Sequence, residues 1–170
     1  MYRRVPDVAG TVVHGFRSIL QNSDRDKGEY EFSVGTHDQK LFSSSQFFTP
    51  STKKVNGYEV HPSLGSAEVR GHGDTPIALI HSHPNEKDAD PWHFSTTDKD
   101  QADVLQGQHP ETPVRAFLLT PAPKNQILVY DPNDKAHPNG EEVGHFEPNG
   151  TFTISNEKYR KEFEKYKVAQ

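Results

Sequence analysis

The feature that most constrains the fold is a short apolar run that ends in two histidines. Residues 76–80, Pro-Ile-Ala-Leu-Ile, predict a buried strand, and His81, Ser82, His83 and Pro84 follow directly. Residues two apart on a strand point to the same face of the sheet. His81 and His83 are therefore predicted to share a face, where they can bind one metal ion.

A second polar group, Ser95-Thr96-Thr97-Asp98, fits two roles. Taken alone it favours a helix N-terminus, with Ser95 as N-cap and Asp98 reaching back in a capping box. Catalytic zinc takes three protein ligands from His, Asp and Glu and leaves the fourth position to water. Asp98 is the natural third ligand, and the two roles are compatible, because the helix dipole also favours a carboxylate in the first turn.

The order of these residues resembles the JAB/MPN (JAMM) metallopeptidase family, whose signature is an early Glu, a His-x-His-Pro sequence and a Ser-x-x-Asp sequence that opens a helix. The resemblance implies that Glu29 is the general base, that His81, His83 and Asp98 are the zinc ligands, and that Ser95 stabilises the oxyanion. Fourteen residues separate His83 from Asp98, more than the family's usual spacing.

The resemblance covers roughly residues 8–131 and implies the α/β class, while the length of 170 residues predicts one domain over 1–170. The implied architecture has three layers, with a mixed β-sheet between helices as in the cytidine-deaminase-like fold, and residues 143–168 are expected to add a strand and a helix. The sequence around the motifs is most similar to JAB-like domains at the ends of bacterial Rhs and other polymorphic toxins. This implies an effector or toxin that cleaves an amide or isopeptide bond in a protein or peptide, with a cognate immunity protein as a further partner.

Two glutamates qualify as the base. Residues 29–34, Glu-Tyr-Glu-Phe-Ser-Val, alternate with the two-residue period of a half-buried strand, so Glu29 and Glu31 are predicted to face the same way. From the strand pattern alone, the simpler interpretation is that both glutamates lie on the solvated face of an edge strand. The resemblance selects Glu29, whereas periodicity alone cannot separate it from Glu31.

Other residues offer ligand chemistry as well. His93, Asp88 and Asp90 lie in the lengthened loop and can replace Asp98 or bind a second ion. The remaining histidines outside the first helix have no useful ligand spacing and receive no role: His37, His61, His72, His109, His137 and His145.

The charge and composition narrow the partners. A net charge of -5 and a pI near 6.0 argue against a nucleic-acid partner, because proteins that bind nucleic acids normally carry a basic surface. The chain has no cysteine, no apolar stretch of roughly 18 residues and no signal-peptide core at its start. We therefore expect a soluble protein with no membrane partner, either cytoplasmic or delivered by a specialised secretion system.

The remaining elements are predicted from periodicity. Helical spacing begins near Pro6 and Asp7 and joins Val5, Val8, Ala9, Val12, Val13, Phe16, Ile19 and Leu20. Strands are expected at 41–48, 114–119, 126–130 and 152–154, an irregular loop at 58–75 and an exposed loop at 85–92. Tyr159, Phe163 and Tyr166 are expected to line one face of a C-terminal helix.

Two other functions remain open. A different metal-dependent hydrolase, such as a deaminase or nuclease toxin, can use a related zinc scaffold, although the lack of cysteine and the acidic charge count against it. A non-catalytic MPN-like binding module is the other alternative. Such modules usually lack a ligand or the Glu, and here every expected residue type is present.

Overall fold

A mixed β-sheet with helices on both faces forms the centre of the molecule. The computed structural model describes residues 1–51, 54–55, 58–59, 63–86 and 90–168. The expected α/β class with a mixed sheet is confirmed.

The main sheet has nine strands. In chain order the strands are β1 (Arg3–Val5), β2 (Gly28–His37), β3 (Lys40–Ser43), β4 (Phe47–Pro50), β5 (Lys54–Val55), β6 (Tyr58–Glu59), β7 (Thr75–Ser82), β8 (Arg115–Leu119), β9 (Gln126–Tyr130), β10 (Glu141–Phe146) and β11 (Phe152–Ile154). The sheet order is β1-β3-β2-β7-β8-β9-β10-β11, with β4 beside the first half of β2, while β5 and β6 pair as a separate two-stranded sheet. Only β7 and β8 pair in parallel among these strands.

Within the described residues, four α-helices accompany the strands: α1 (Val8–Leu20), α2 (Leu64–Gly71), α3 (Thr96–Gln108) and α4 (Arg160–Phe163). Short 3-10 turns precede β2 and flank α4 at Arg25–Lys27, Glu157–Tyr159 and Glu164–Tyr166. None of the helices in these described ranges has the length and apolar character to cross a bilayer.

One face of the sheet packs against α1 and the C-terminal segment. Alternate residues of the central strands point to this face, because successive strand side chains alternate. They form the larger core with the helices, which includes Val12, Val13, Phe16, Phe32, Val34, Ile80, Phe117, Phe152 and Phe163. As predicted, Tyr159 and Phe163 pack inward, although they lie on a 3-10 turn and one short α-helix rather than on one longer helix.

The opposite face packs against α3 and α2. A smaller core joins α3 to β7, β8 and β9 through Leu79, Phe94, Ala102, Leu105, Ala116, Leu118 and Leu128. At the β2 end of this face the Ser33 and Ser66 hydroxyls lie 3.2 Å apart, which places α2 against β2. The sheet therefore lies between two helical layers.

The register of β2, β7 and β8 gathers polar side chains at one end of the second face. Glu31 pairs with His81 across the antiparallel β2–β7 ladder. The buried Ser82 hydroxyl accepts from the Tyr30 N–H at 3.1 Å, and the His83 N–H donates to the Leu119 carbonyl at 3.0 Å. These bonds hold the β7 end in the sheet up to His83.

Several predicted boundaries are wrong. Val5 lies in β1, and the helix begins at Val8 because the Asp7 side chain accepts from the Gly10 N–H at 2.7 Å. The expected strand at 41–48 is two strands, β3 and β4. The expected irregular loop at 58–75 contains β6 and α2, a helix with glycines near both ends that packs Val69 into the interior.

Candidate metal centre

Three predicted ligands come together at the end of β7. His81 Nε2 lies 3.0 Å and His83 Nε2 3.4 Å from the same oxygen, Asp98 Oδ2. One ligand atom from each residue falls within 4.8 Å of the other two. Side chains from the strand end and from the first turn of α3 thus meet where one cation can contact all three.

The capping box fixes the carboxylate in this position. The Ser95 N–H donates to Asp98 Oδ2 at 2.9 Å, and the Asp98 N–H donates to Ser95 Oγ at 3.1 Å. The predicted helix start is therefore confirmed, with Ser95 as N-cap. Because the same Oδ2 faces both imidazoles, the cap also holds the carboxylate toward the histidines.

The charge of Asp98 is strongly stabilised. Burial alone would raise the pKa of this carboxyl group, but the adjacent His81 and His83 rings outweigh burial and hold the pKa well below its usual value. Asp98 is therefore an anion across the neutral range. An anionic carboxylate is the form that a divalent cation binds.

His83 is oriented by a backbone carbonyl on its other side. Its Nδ1 lies 3.3 Å from the Pro91 oxygen. Because a carbonyl only accepts, this contact favours a proton on Nδ1 and leaves Nε2 as the ring nitrogen that can bind a cation. A hydrogen bond from the second ring nitrogen to a carbonyl is a usual arrangement for a metal-binding histidine.

An apolar side chain supports His81. Phe94 is 6% exposed and contacts the His81 ring at a centroid distance of 6.2 Å and the Tyr130 ring at 6.0 Å. The His81 side chain itself is 9% exposed. The His81 ring therefore borders the smaller core.

The two candidate bases lie in different surroundings on β2. Glu29 and Glu31 are buried on a strand that pairs on both sides, so the alternative of a solvated edge strand is wrong. Glu31 Oε1 accepts from the Leu64 and Gly65 N–H groups, the latter at 3.3 Å, and so binds the N-terminus of α2. Glu29 lies two residues nearer the start of β2 on the same face, just beyond the last β2–β7 pair, Glu31 with His81.

The other proposed ligands lie apart from the three-residue group. Asp90 Oδ2 and His93 Nδ1 pair at 2.8 Å, and both side chains are exposed. Asp88 lies outside the described residues. Asp98 therefore provides the carboxylate that meets His81 and His83 in the described structure.

A second His/carboxylate group was missed from the sequence. His137 Nδ1 lies 2.8 Å from Asp134 and Nε2 lies 3.3 Å from Glu141, while the Lys158 ammonium lies 3.3 and 2.8 Å from the same two carboxylates. Both imidazole nitrogens face acceptors and Lys158 already supplies a cation, so this group is an ion-pair cluster. The spacing of 134, 137 and 141 was the available signal.

The donor set of the first group fits a zinc ion. Two imidazole nitrogens and one carboxylate oxygen are the donors of catalytic zinc sites, which keep another position for water. A comparison with protein-family models finds no matching family, and a comparison with curated proteins finds no match.

Proposed function

We propose that this chain is a zinc-dependent metallopeptidase of the JAB/MPN kind that hydrolyses an amide or isopeptide bond. The observation that carries the proposal is the convergence of His81 Nε2, His83 Nε2 and Asp98 Oδ2. Its support is that a strand end and a capped helix hold these donors by contacts independent of any ion.

Zinc in this donor set would act as a Lewis acid and bring the pKa of a bound water toward about 7. His81 and His83 would hold the ion through Nε2, and Asp98 would hold it through Oδ2. With its proton on Nδ1, His83 would donate to the Pro91 carbonyl, and this bond would keep the ring in the orientation that binding requires.

In this proposal Glu29 is the general base. It accepts a proton from the attacking water and delivers it to the leaving amine, which needs a carboxylate on the same face as the ligands. Glu29 meets that condition by its place on β2. Glu31 lies on the same face, but its Oε1 already accepts from the N–H groups at the N-terminus of α2.

Ser95 is proposed to stabilise the oxyanion of the tetrahedral intermediate. Its oxygen accepts from Asp98 N–H, which uses a lone pair and leaves the hydroxyl proton for donation. Ser95 is exposed at the start of α3, within reach of a substrate that approaches the ligands. A side-chain donor of this kind is worth roughly 3 kcal/mol in comparable sites.

A protein or peptide is the proposed substrate, and an effector or toxin domain is the proposed setting. The setting follows from the resemblance to the toxin-associated JAB-like domains, as does a cognate immunity protein. The net charge of -5 favours a peptide over a nucleic acid.

Metal analysis tests this proposal directly. We expect about one zinc per purified chain, lost when His81→Ala and His83→Ala are combined, because both imidazole ligands disappear. Asp98→Asn is the matched variant, since its amide oxygen can keep the capping bond while the ligand charge is lost, so the helix should remain and zinc should bind more weakly. Stoichiometric zinc in the double histidine variant would overturn the site.

Activity is then measured on peptide, isopeptide and nucleic-acid substrates with and without a chelator. Chelator-sensitive release of an amine from one of the first two supports the proposal. Chelator-sensitive turnover of nucleic acid alone would replace it with the nuclease or deaminase alternative.

A further inference from the structure

The loop between His83 and α3 contains a tight turn built by one carboxylate. Asp90 Oδ1 accepts from the Trp92 N–H at 3.1 Å, and Asp90 Oδ2 pairs with His93 Nδ1 at 2.8 Å. A side-chain oxygen that accepts from the backbone two residues ahead is the bond of an Asx turn. Asp90 therefore sets the path of the chain through Pro91.

This turn directs a backbone carbonyl at the metal centre. Pro91 is buried and its oxygen contacts His83 Nδ1 at 3.3 Å. The proline ring fixes φ and so limits the directions in which that carbonyl can point. The Asp90 bond to Trp92 limits them further from the other side of the same peptide group.

A second contact fastens the turn to the sheet. The Lys124 ammonium lies 5.0 Å from the centre of the Trp92 ring. Lys124 belongs to the turn that joins β8 to β9, and β8 supplies the Leu119 carbonyl that accepts from His83 N–H. The turn is thus connected to the same strand end that holds the His83 backbone.

We propose that Asp90 is a positioning residue for the zinc site, where its carboxylate holds the turn that presents the Pro91 carbonyl to His83. The inference rests on the proposed zinc site. In this proposal the lengthened loop orients His83 but provides no metal ligand itself. Contacts that orient a metal ligand through its second nitrogen are worth about 10–100-fold in metal affinity.

Three variants test the role through the zinc dissociation constant, measured by competition with a chromophoric chelator. Asp90→Ala removes the turn bond, and zinc should bind about tenfold more weakly or worse. Asp90→Asn keeps an oxygen that accepts from Trp92 N–H and should stay within about threefold of the parent. His93→Ala removes only the exposed partner of Asp90 and should also stay within about threefold.

Two further measurements distinguish a positioning role of Asp90 from an effect on overall stability. Urea unfolding of the metal-free proteins should give the same midpoint for Asp90→Ala as for the parent, because the Asp90 side chain is 62% exposed. In ¹⁵N-edited NMR of the zinc-loaded proteins, the Nδ1–H signal of His83 should be present in the parent and exchange faster in Asp90→Ala. A shifted urea midpoint that accounts for the zinc loss would make the role a structural one and overturn the proposal.

The experiments distinguish failure of the proposed function from failure of the positioning role. A parent that binds no zinc would overturn the proposed function and the positioning role together. A parent that binds zinc while Asp90→Ala binds equally well would overturn only the positioning role. Loss of affinity in Asp90→Asn as large as in Asp90→Ala, or in His93→Ala, would show that charge or a direct ligand is responsible, and would also overturn it.

Discussion

The Ser95 hydroxyl has two roles. Its oxygen caps α3, and its proton is proposed to form a hydrogen bond with the oxyanion. Substitutions can separate the two. Ser95→Asp keeps an N-cap acceptor without a donor, Ser95→Thr keeps both, and Ser95→Ala keeps neither.

We expect Ser95→Ala to lose about 1 kcal/mol of unfolding free energy, whereas Ser95→Thr and Ser95→Asp should stay close to the parent. Turnover should fall at least about 100-fold in both Ser95→Ala and Ser95→Asp. Urea denaturation and peptide hydrolysis measure the two effects. Full turnover in Ser95→Asp at unchanged zinc content would show that the Ser95 hydroxyl only caps the helix and does not stabilise the oxyanion.

The two β2 glutamates should respond differently to the same substitution. Glu29→Gln removes a proton acceptor at nearly constant size, so turnover should fall about 100-fold or more while zinc is retained. Glu31→Gln should keep turnover within a few-fold but lose about 1 kcal/mol of stability, because a neutral oxygen accepts weaker bonds from Leu64 and Gly65 N–H groups. The reverse pattern of activities would make Glu31 the base.

At the scale of elements, the contact between α2 and β2 depends on a glycine. A Cβ at Gly65 would lie 2.8 Å from Ser33 N and 2.9 Å from the Phe32 carbonyl carbon, both backbone atoms. Gly71, in the same helix, has open space around it.

Gly65→Ala should therefore destabilise the protein by about 1–3 kcal/mol, because the helix must move away from the strand. Gly71→Ala should be neutral or stabilise by up to about 1 kcal/mol. Thermal or urea unfolding of the pair measures the difference. Equal stability of the two variants would contradict the close approach of α2 to β2.

The ion-pair cluster that joins β10 to the C-terminal segment predicts a pH dependence. Burial alone would raise the pKa of Glu141, but the Lys158 ammonium and the Tyr159 hydroxyl outweigh it and lower the pKa. A carboxyl group with a lowered folded-state pKa contributes stability above its unfolded-state pKa, about 4.3, and that stability is lost as the pH falls.

Glu141→Gln should therefore be less stable than the parent at pH 7, and the difference should fade below about pH 4. Urea unfolding at pH 7 and pH 3 provides the measurement. Glu157→Gln is the control, since Glu157 pairs with Arg160 on the surface and should change stability by less than about 1 kcal/mol at either pH. A difference that persists at pH 3 would show that packing, and not charge, is lost.

For the whole molecule, what the sequence predicts best is what is local. His81 and His83 are two apart on a strand, and Ser95 and Asp98 form a capping pattern, so four site residues follow from spacing. That the strand end and the helix start meet is predicted from zinc ligand chemistry and from the resemblance, and not from spacing.

What the sequence did not predict depends on distant contacts. The residues of α2 have weak helical signals, and the helix N-terminus bonds to Glu31, more than thirty residues earlier. His137 lies in a turn-rich loop whose partner Lys158 is in the C-terminal segment. Hydrophobic periodicity predicts neither the bond from Glu31 to α2 nor the ion pairs of Lys158, since it describes only one element at a time.

The position of Trp92 beside Pro91 gives the protein an optical probe next to the proposed metal centre. Trp92 is the single tryptophan of the chain. Under excitation that spares tyrosine, all emission therefore comes from the turn that carries the Pro91 carbonyl. Movement of that turn when an ion or a substrate arrives is readable as a change in emission from the natural protein, with no added label.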